Sequence, residues 1–422
     1  MNLSSDEIME TIQRFKNATL TLIKWLLCAT LSGCLIGFVG SCFHLLLGLV
    51  TDFRFENPNI LFLLPLGGLV IIFLYRIMGE ADNKGTNLVI TAIQSNEEVP
   101  IKMAPLIIIS TAITHLFGGS AGREGAALQV GGSLGNFLAK AFKFDDKDTR
   151  IMIMCGMSAC FSALFGTPIA AAIFSMEVIS VGIMYYAALV PCVISALIAQ
   201  KIASYLGIAP TAFTVDKICK LDMLNGTKFV IMAICFALAS ILLCLCLHNA
   251  ANLYKKFLKN QYLRVFVAGL LVIALRYIVG STDYLGAGSN IISASFVNSC
   301  AWYVFILKII FTAITLGGGF KGGEIVPTLF VGATLGSFLA SVFGLPVGLC
   351  AACGMVSVFC GVTNCPITSI LLSIEMFGAS SIKYCVLCIA LSYLLSGYYS
   401  LYSTQKIMYS KYRTEFINKA TH

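Results

Sequence analysis

Two long stretches of this chain are almost empty of charge, yet neither reads as a simple row of membrane spans. Between Ile151 and Gln200 the one charged residue is Glu177, and between Ile325 and Ile374 there is none. A straight helical span takes about 20 apolar residues, so each stretch has room for more than one helix. Both are interrupted, by Gly156, Gly166 and Pro168 in the first and by Gly332, Gly336, Gly344, Pro346, Gly354, Gly361 and Pro366 in the second. Short, tilted, broken helices are the expected outcome. Elsewhere apolar segments lie near 19–50, 60–78, 104–117, 228–250, 263–279, 302–316 and 383–402.

Composition sets the solvent. Of 422 residues, 58% are hydrophobic and 11% charged, against about 25% charged in a soluble domain. A surface so poor in charge would expose contiguous apolar patches to water, which excludes a soluble enzyme, a nucleic-acid binder or a disordered scaffold. An all-α polytopic membrane protein remains. The net charge of +8 reflects basic clusters at Arg14–Lys24, Lys140–Arg150, Lys255–Arg264 and Lys406–Lys419, the pattern of cytoplasmic loop ends. Most of the 17 cysteines lie in apolar runs without zinc-ligand spacing and serve as small hydrophobes. With four histidines and no His-Glu-x-x-His run, no metal, cofactor or enzymatic activity is expected. The polar start, Met1 to Asn17, fits an amphipathic cytoplasmic helix better than a cleaved signal peptide.

The chain also repeats itself. Thr111–Thr114 recurs as Thr312–Thr315, and Leu134–Ala139 as Leu335–Ala340. Pro168-Ile169 with Ser175 and Glu177 recurs as Pro366-Ile367 with Ser373 and Glu375, and Gly85–Val89 resembles Gly288–Ile292. Four matches in one order at a nearly constant offset make a duplicated half-chain. The expected organisation is an N-terminal segment (1–18), a first repeat (19–210), a second repeat (211–405) and a tail (406–422) with no regulatory soluble domain. Paired halves rich in interrupted helices are a hallmark of transporters, whose sites form where matching helix ends meet.

The matching interruptions are Gly118-Gly119-Ser120-Ala121-Gly122-Arg123-Glu124-Gly125 and Gly317-Gly318-Gly319-Phe320-Lys321-Gly322-Gly323-Glu324. Each feeds an apolar helix, whose first N–H groups are unpaired and carry the positive end of the helix dipole, so they attract anions. An intramembrane carboxylate is costly and is therefore a functional candidate. Ionised, Glu124 would occupy an anion site; protonated, it could leave and admit an anion, coupling anion to proton. An Arg123–Glu124 ion pair is the alternative, disfavoured because adjacent helical residues do not face each other. For Glu324 the alternative is pairing with Lys321. Glu177 and Glu375, at equivalent repeat positions, read as structural groups at helix ends. His115 reads as packing before a proton relay, and Tyr398, Tyr399 and Tyr402 as an aromatic belt.

Gly122-Arg123-Glu124-Gly125 resembles the glycine-arginine-glutamate-glycine motif of the CLC chloride channels and anion/proton antiporters, and the resemblance runs over roughly residues 30 to 405. It implies a homodimer of inverted-repeat subunits with one pore in each, set in the cell membrane. It further implies that Glu124 is the gating glutamate and that Tyr402 donates its hydroxyl to the central anion. Amides near Gly125, Ala126, Ile325 and Val326 would complete the cradle.

Three positions depart from chloride-type members. Their glycine-serine-glycine-isoleucine-proline motif is replaced by Asn83-Lys84-Gly85-Thr86-Asn87-Leu88. Gly85 and Thr86 are the candidate anion contacts there, with a turn or cap role open for Thr86 and Asn87. Val178 stands where chloride/proton antiporters carry an internal glutamate just after the equivalent of Glu177. Glu324 replaces an apolar residue. All three resemble the fluoride-exporting branch, which implies a fluoride/proton antiporter; a chloride channel or chloride/proton exchanger is the alternative. Fluoride is small and strongly hydrated, so it needs close, strong donors. As the conjugate base of a weak acid it also accumulates along pH gradients, so export needs an energy source.

Overall fold

In a computed structural model, residues 5–81, 85–95 and 97–421 are described; Asn83 and Lys84 of the replaced motif lie outside them. Eight helices form the first half: α1 (Ser5–Glu56), α2 (Leu64–Ile77), α3 (Thr86–Ser95), α4 (Met103–Leu116), α5 (Glu124–Ala141), α6 (Asp146–Phe165), α7 (Pro168–Glu177) and α8 (Leu189–Tyr205). Eight more form the second: α9 (Met223–Phe257), α10 (Gln261–Val279), α11 (Ser289–Ser295), α12 (Val304–Gly318), α13 (Ile325–Phe343), α14 (Val347–Thr363), α15 (Pro366–Phe377) and α16 (Ile382–Leu395). Every repeated sequence segment falls on matching helices of the two series. Among the described residues, seven helices are long and apolar enough to cross a membrane by themselves.

The breaks fall where the backbone chemistry requires them. Gly166 is left-handed (φ 75°) at the end of α6, and Pro168 opens α7 after Thr167. Asn364 is left-handed (φ 59°) at the end of α14, and Pro366 opens α15 after Cys365. A left-handed residue satisfies the last carbonyls of one helix, while proline in a first turn removes a donor that has no helical partner. The α5/α6 and α13/α14 pairs cross backbone to backbone. A Cβ on Gly131 would stand 2.2 Å from the Gly156 carbonyl oxygen, and one on Gly332 2.3 Å from that of Gly354.

Helices α7 and α15 exchange caps. Glu177, at the end of α7, accepts from the N–H groups of Ile367 (3.0 Å) and Thr368 (2.8 Å) and from the Thr368 hydroxyl (2.6 Å). Glu375, near the end of α15, accepts from the N–H groups of Ile169 (2.9 Å) and Ala170 (2.8 Å). Each carboxylate meets the positive end of the other helix, so the two run antiparallel and the halves are inverted relative to each other. The structural reading of both glutamates is borne out.

The tail does more than end the chain. Lys406–Tyr409 (β2) pairs in parallel with Ser180–Val181 (β1) and antiparallel with Phe416–Ala420 (β3). Ahead of it, the Gln405 amide nitrogen donates to the carbonyls of Val178 and Thr363, each at 2.8 Å. This ties the end of α7, the end of α14 and the Tyr402 turn together.

Removing either cap strands two helix-start N–H groups, and a buried one, such as that of Thr368, costs about 1–3 kcal/mol. Glu177→Ala and Glu375→Ala are each expected to lower the unfolding midpoint in detergent, Glu177→Ala the more because it also strands the Thr368 hydroxyl. An unchanged midpoint in both variants would contradict the capping role.

Candidate functional site

The two glycine loops meet backbone to backbone. Gly122 N–H donates to the Gly323 carbonyl and Gly323 N–H to that of Gly122, both at 2.7 Å. Glycine is required by proximity: a Cβ on Gly323 would lie 2.6 Å from the Gly125 nitrogen, and one on Gly322 2.5 Å from the Ala121 Cβ. Side chains brace the loops from behind. The His115 ring Nε2 lies 3.3 Å from the Gly122 carbonyl oxygen, while Arg54 donates to the His115 carbonyl at 2.9 Å. Ser120 N–H donates to the Thr315 hydroxyl at 3.1 Å. His115 thus holds the loop rather than merely filling space.

Both loops end as helix starts. Arg123 precedes α5, whose first helical bond runs from Ala127 N–H to the Arg123 carbonyl. The N–H groups of Glu124, Gly125 and Ala126 therefore have no partner within the helix. In α13 the first bond runs from Thr328 N–H to the Glu324 carbonyl, leaving Ile325 and Val326; Pro327 has no N–H to leave.

The carboxylates are placed differently. Glu124 is 1% exposed and accepts from Arg123, at 3.1 Å from its N–H and 3.4 Å from its Nε. This corrects the expectation that neighbours do not face each other. Arg123 lies outside the helix (φ −124°, ψ −19°), so helical spacing does not separate the pair; Glu124 opens α5 and is buried, while Arg123 is half-buried. Glu324 makes no ion pair with Lys321 among the described residues; the Lys321 ammonium sits 4.5 Å from the Tyr75 ring centre.

Among the buried side-chain polar atoms that lack hydrogen-bond partners among the described residues are Glu324 Oε2 and Tyr402 Oη. Their residues line one cavity of about 420 Å³ together with Gly85, Thr86, Ala126 and Gln129. A Cβ on Gly125 would lie 3.0 Å from Glu324 Oε2 and 3.4 Å from the Thr86 hydroxyl, so these groups converge. Glu124 and Val326 instead line a second cavity of about 300 Å³, with Arg123, Ala287 and Ser289. Gly125 and Ile325 line neither of these two cavities and are buried between the loops. The structure thus brings six expected site residues into one cavity wall or its immediate edge and divides the two glutamates between two cavities.

Gln129 escaped the sequence reading. Its amide donates to the Thr86 hydroxyl and to the Gly125 carbonyl, each at 3.2 Å, and Thr86 in turn donates to that carbonyl at 3.4 Å. The available signal was an amide one helical turn past Gly125 in an otherwise apolar helix. Asn87 lies within α3, and its Oδ1 accepts from the Thr404 hydroxyl at 2.9 Å, tying that helix to the segment after Tyr402. Gly-x-Ser-x-Gly runs also occur, at Gly118–Gly122 and Gly131–Gly135. Their serines are committed to Thr312 and to the Pro100 carbonyl, with no histidine partner among the described residues.

Known proteins share this sequence pattern and fold. The family model described as voltage gated chloride channel matches residues 66–397. A protein of Pseudomonas syringae pv. tomato, named a chloride/fluoride channel protein, is 35% identical over 398 residues, covering 93% of this chain and 88% of its own. The solved structure of a CLC-type fluoride/proton antiporter superposes with a TM-score of 0.88 at 32% identity, over 91% of this chain and 98% of that one. A slow cyanobacterial Cl⁻/H⁺ antiporter shares the fold, with a TM-score of 0.76 at 19% identity over 88% and 94% of the chains.

Gln129→Leu removes the donor shared by Thr86 and Gly125. Fluoride titrated by calorimetry is expected to bind about tenfold more weakly, near 1.4 kcal/mol; unchanged affinity would make Gln129 a packing residue only.

Proposed function

The chain belongs to the voltage-gated chloride channel (CLC) family, and from that premise we propose that it exports fluoride across the cell membrane in exchange for protons. The reading rests above all on one observation: Glu324 Oε2 and Tyr402 Oη are buried in one cavity with no partner among the described residues. An unpartnered hydroxyl is a donor waiting for an acceptor, and burying it without one is costly. A small anion supplies that acceptor.

Glu124 is the gate. Ionised, it holds Arg123 and blocks approach from its own cavity; protonated, it gives up that charge-assisted contact and an anion can pass. The amides of Gly125, Ala126, Ile325 and Val326 stabilise the anion by backbone dipoles, and Gly85 and Thr86 line its entry. Glu324 is the second proton stop. Two carboxylates along one path do not ionise independently, so an arriving anion and a departing proton are linked. Close hydrogen-bond donors favour fluoride, whose hydration is hardest to replace.

The similarity to an antiporter of 32% identity supports exchange, while the relative named a chloride/fluoride channel supports the alternative, a chloride channel or exchanger of the same architecture. The working unit is taken to be a homodimer with one pore per subunit. Residues 19–210 and 211–405 are taken as the two repeats, flanked by segments 1–18 and 406–422.

In reconstituted vesicles with simultaneous pH recording, fluoride should move far more readily than chloride and should drive protons uphill. Equal chloride flux would overturn the selectivity, and fluoride flux without protons the exchange. Glu124→Gln is expected to abolish proton coupling. Glu324→Gln should slow turnover at least about tenfold, within the range of a lost proton-transfer group.

A further inference from the structure

Glu324 stands at the junction of two cavity arms. The first, already described, ends on Thr86, Gln129 and Tyr402. The second, of about 450 Å³, overlaps it, with most of its lining in common, Glu324, Lys255 and Asn87 included, but extends to His248 and Asn252, which do not line the first. His248, Asn252 and Lys255 stand on one face of α9, at the four- and three-residue steps of a helix. They are the polar continuation of a helix whose preceding stretch is apolar. Exposure falls along that stripe: Lys255 and Asn252 are exposed and His248 is half-buried. Lys255 belongs to the basic cluster with Lys256, Lys259 and Arg264, which marks the cytoplasmic side.

We propose that this second arm carries the proton between Glu324 and the cytoplasm, with His248 as the relay. The proposal rests on the antiport reading above. The two arms differ in what they present. The first offers hydroxyl and amide donors suited to an anion. The second offers an imidazole, the side chain whose charge changes most readily near neutral pH. A cavity of 450 Å³, with Asn87, His248, Asn252, Lys255 and Ser403 among its lining residues, has room for a chain of waters to connect the groups.

The step is a proton transfer alone. The Glu324 Oε–H bond breaks, an imidazole N–H bond forms on His248, and the imidazolium then loses a proton to water at the mouth.

A structural role for His248 makes a different prediction. Its Nε2 lies 3.4 Å from the Leu401 carbonyl oxygen, one residue before Tyr402, so it could simply hold that turn. His248→Gln keeps an N–H donor for Leu401 but cannot relay a proton. In vesicles, His248→Gln and His248→Ala are both expected to slow coupled exchange roughly tenfold or more. Added imidazole is expected to restore the Ala variant and to leave wild type and Glu324→Gln unchanged. Wild-type rates in His248→Gln, or no imidazole effect on a slow Ala variant, would overturn the relay while proton-coupled flux in wild type keeps the antiport reading intact. Fluoride flux without protons in wild type would overturn both.

Discussion

Everything in this fold depends on the cost of an unpaired backbone group in hydrocarbon. Within a bilayer each orphan N–H or carbonyl costs several kcal/mol, so irregular chain is tolerated only where other protein groups complete it. A structure that breaks its helices in mid-membrane must therefore pair every broken end, and here each half pairs the ends of the other. Gly122 and Gly323 exchange both hydrogen bonds. Glu177 and Glu375 exchange helix starts. Neither half could keep its breaks alone, which is why the duplication and the interruptions occur together.

The same constraint makes the site. Once the loops are bridged and α7 and α15 are capped, the N–H groups left over at the centre are those at the starts of α5 and α13. They carry partial positive charge without a titratable cation. These dipoles suit an anion, and Lys255 and Lys321 stand with Glu324 in the wall of the adjoining cavity. Glu124 and Glu324 are thus the variable elements on a rigid backbone frame.

How far the sequence revealed this follows from the range of each interaction. The broken helices, the repeat and the glycine-loop glutamates were legible because glycine, proline and isolated charge act locally on the chain. The capping role of Glu177 and Glu375 was legible because both lie at helix ends. Gln129 was not, because its importance comes from Thr86, which stands on another helix. The small sheet was hidden for a similar reason: β1 has two residues and pairs with a strand from the far end of the chain. The Arg123–Glu124 contact was misjudged because helical spacing was applied to a residue that the helix does not include.

The symmetry is broken by one residue, and that break gives the glutamates different work. Measured from the bridge, Glu324 directly follows Gly323, whereas Arg123 intervenes between Gly122 and Glu124. Glu124 is accordingly the first residue of α5, while Glu324 precedes the first residue of α13. One residue turns a helical position by about 100° at 3.6 residues per turn. Related loops thereby aim their carboxylates into different cavities, Glu124 into the one shared with Val326 and Glu324 into the one shared with Tyr402. The inserted arginine also provides Glu124 with the partner that Glu324 lacks. One carboxylate is held by Arg123, and the other keeps Oε2 without a hydrogen-bond partner among the described residues.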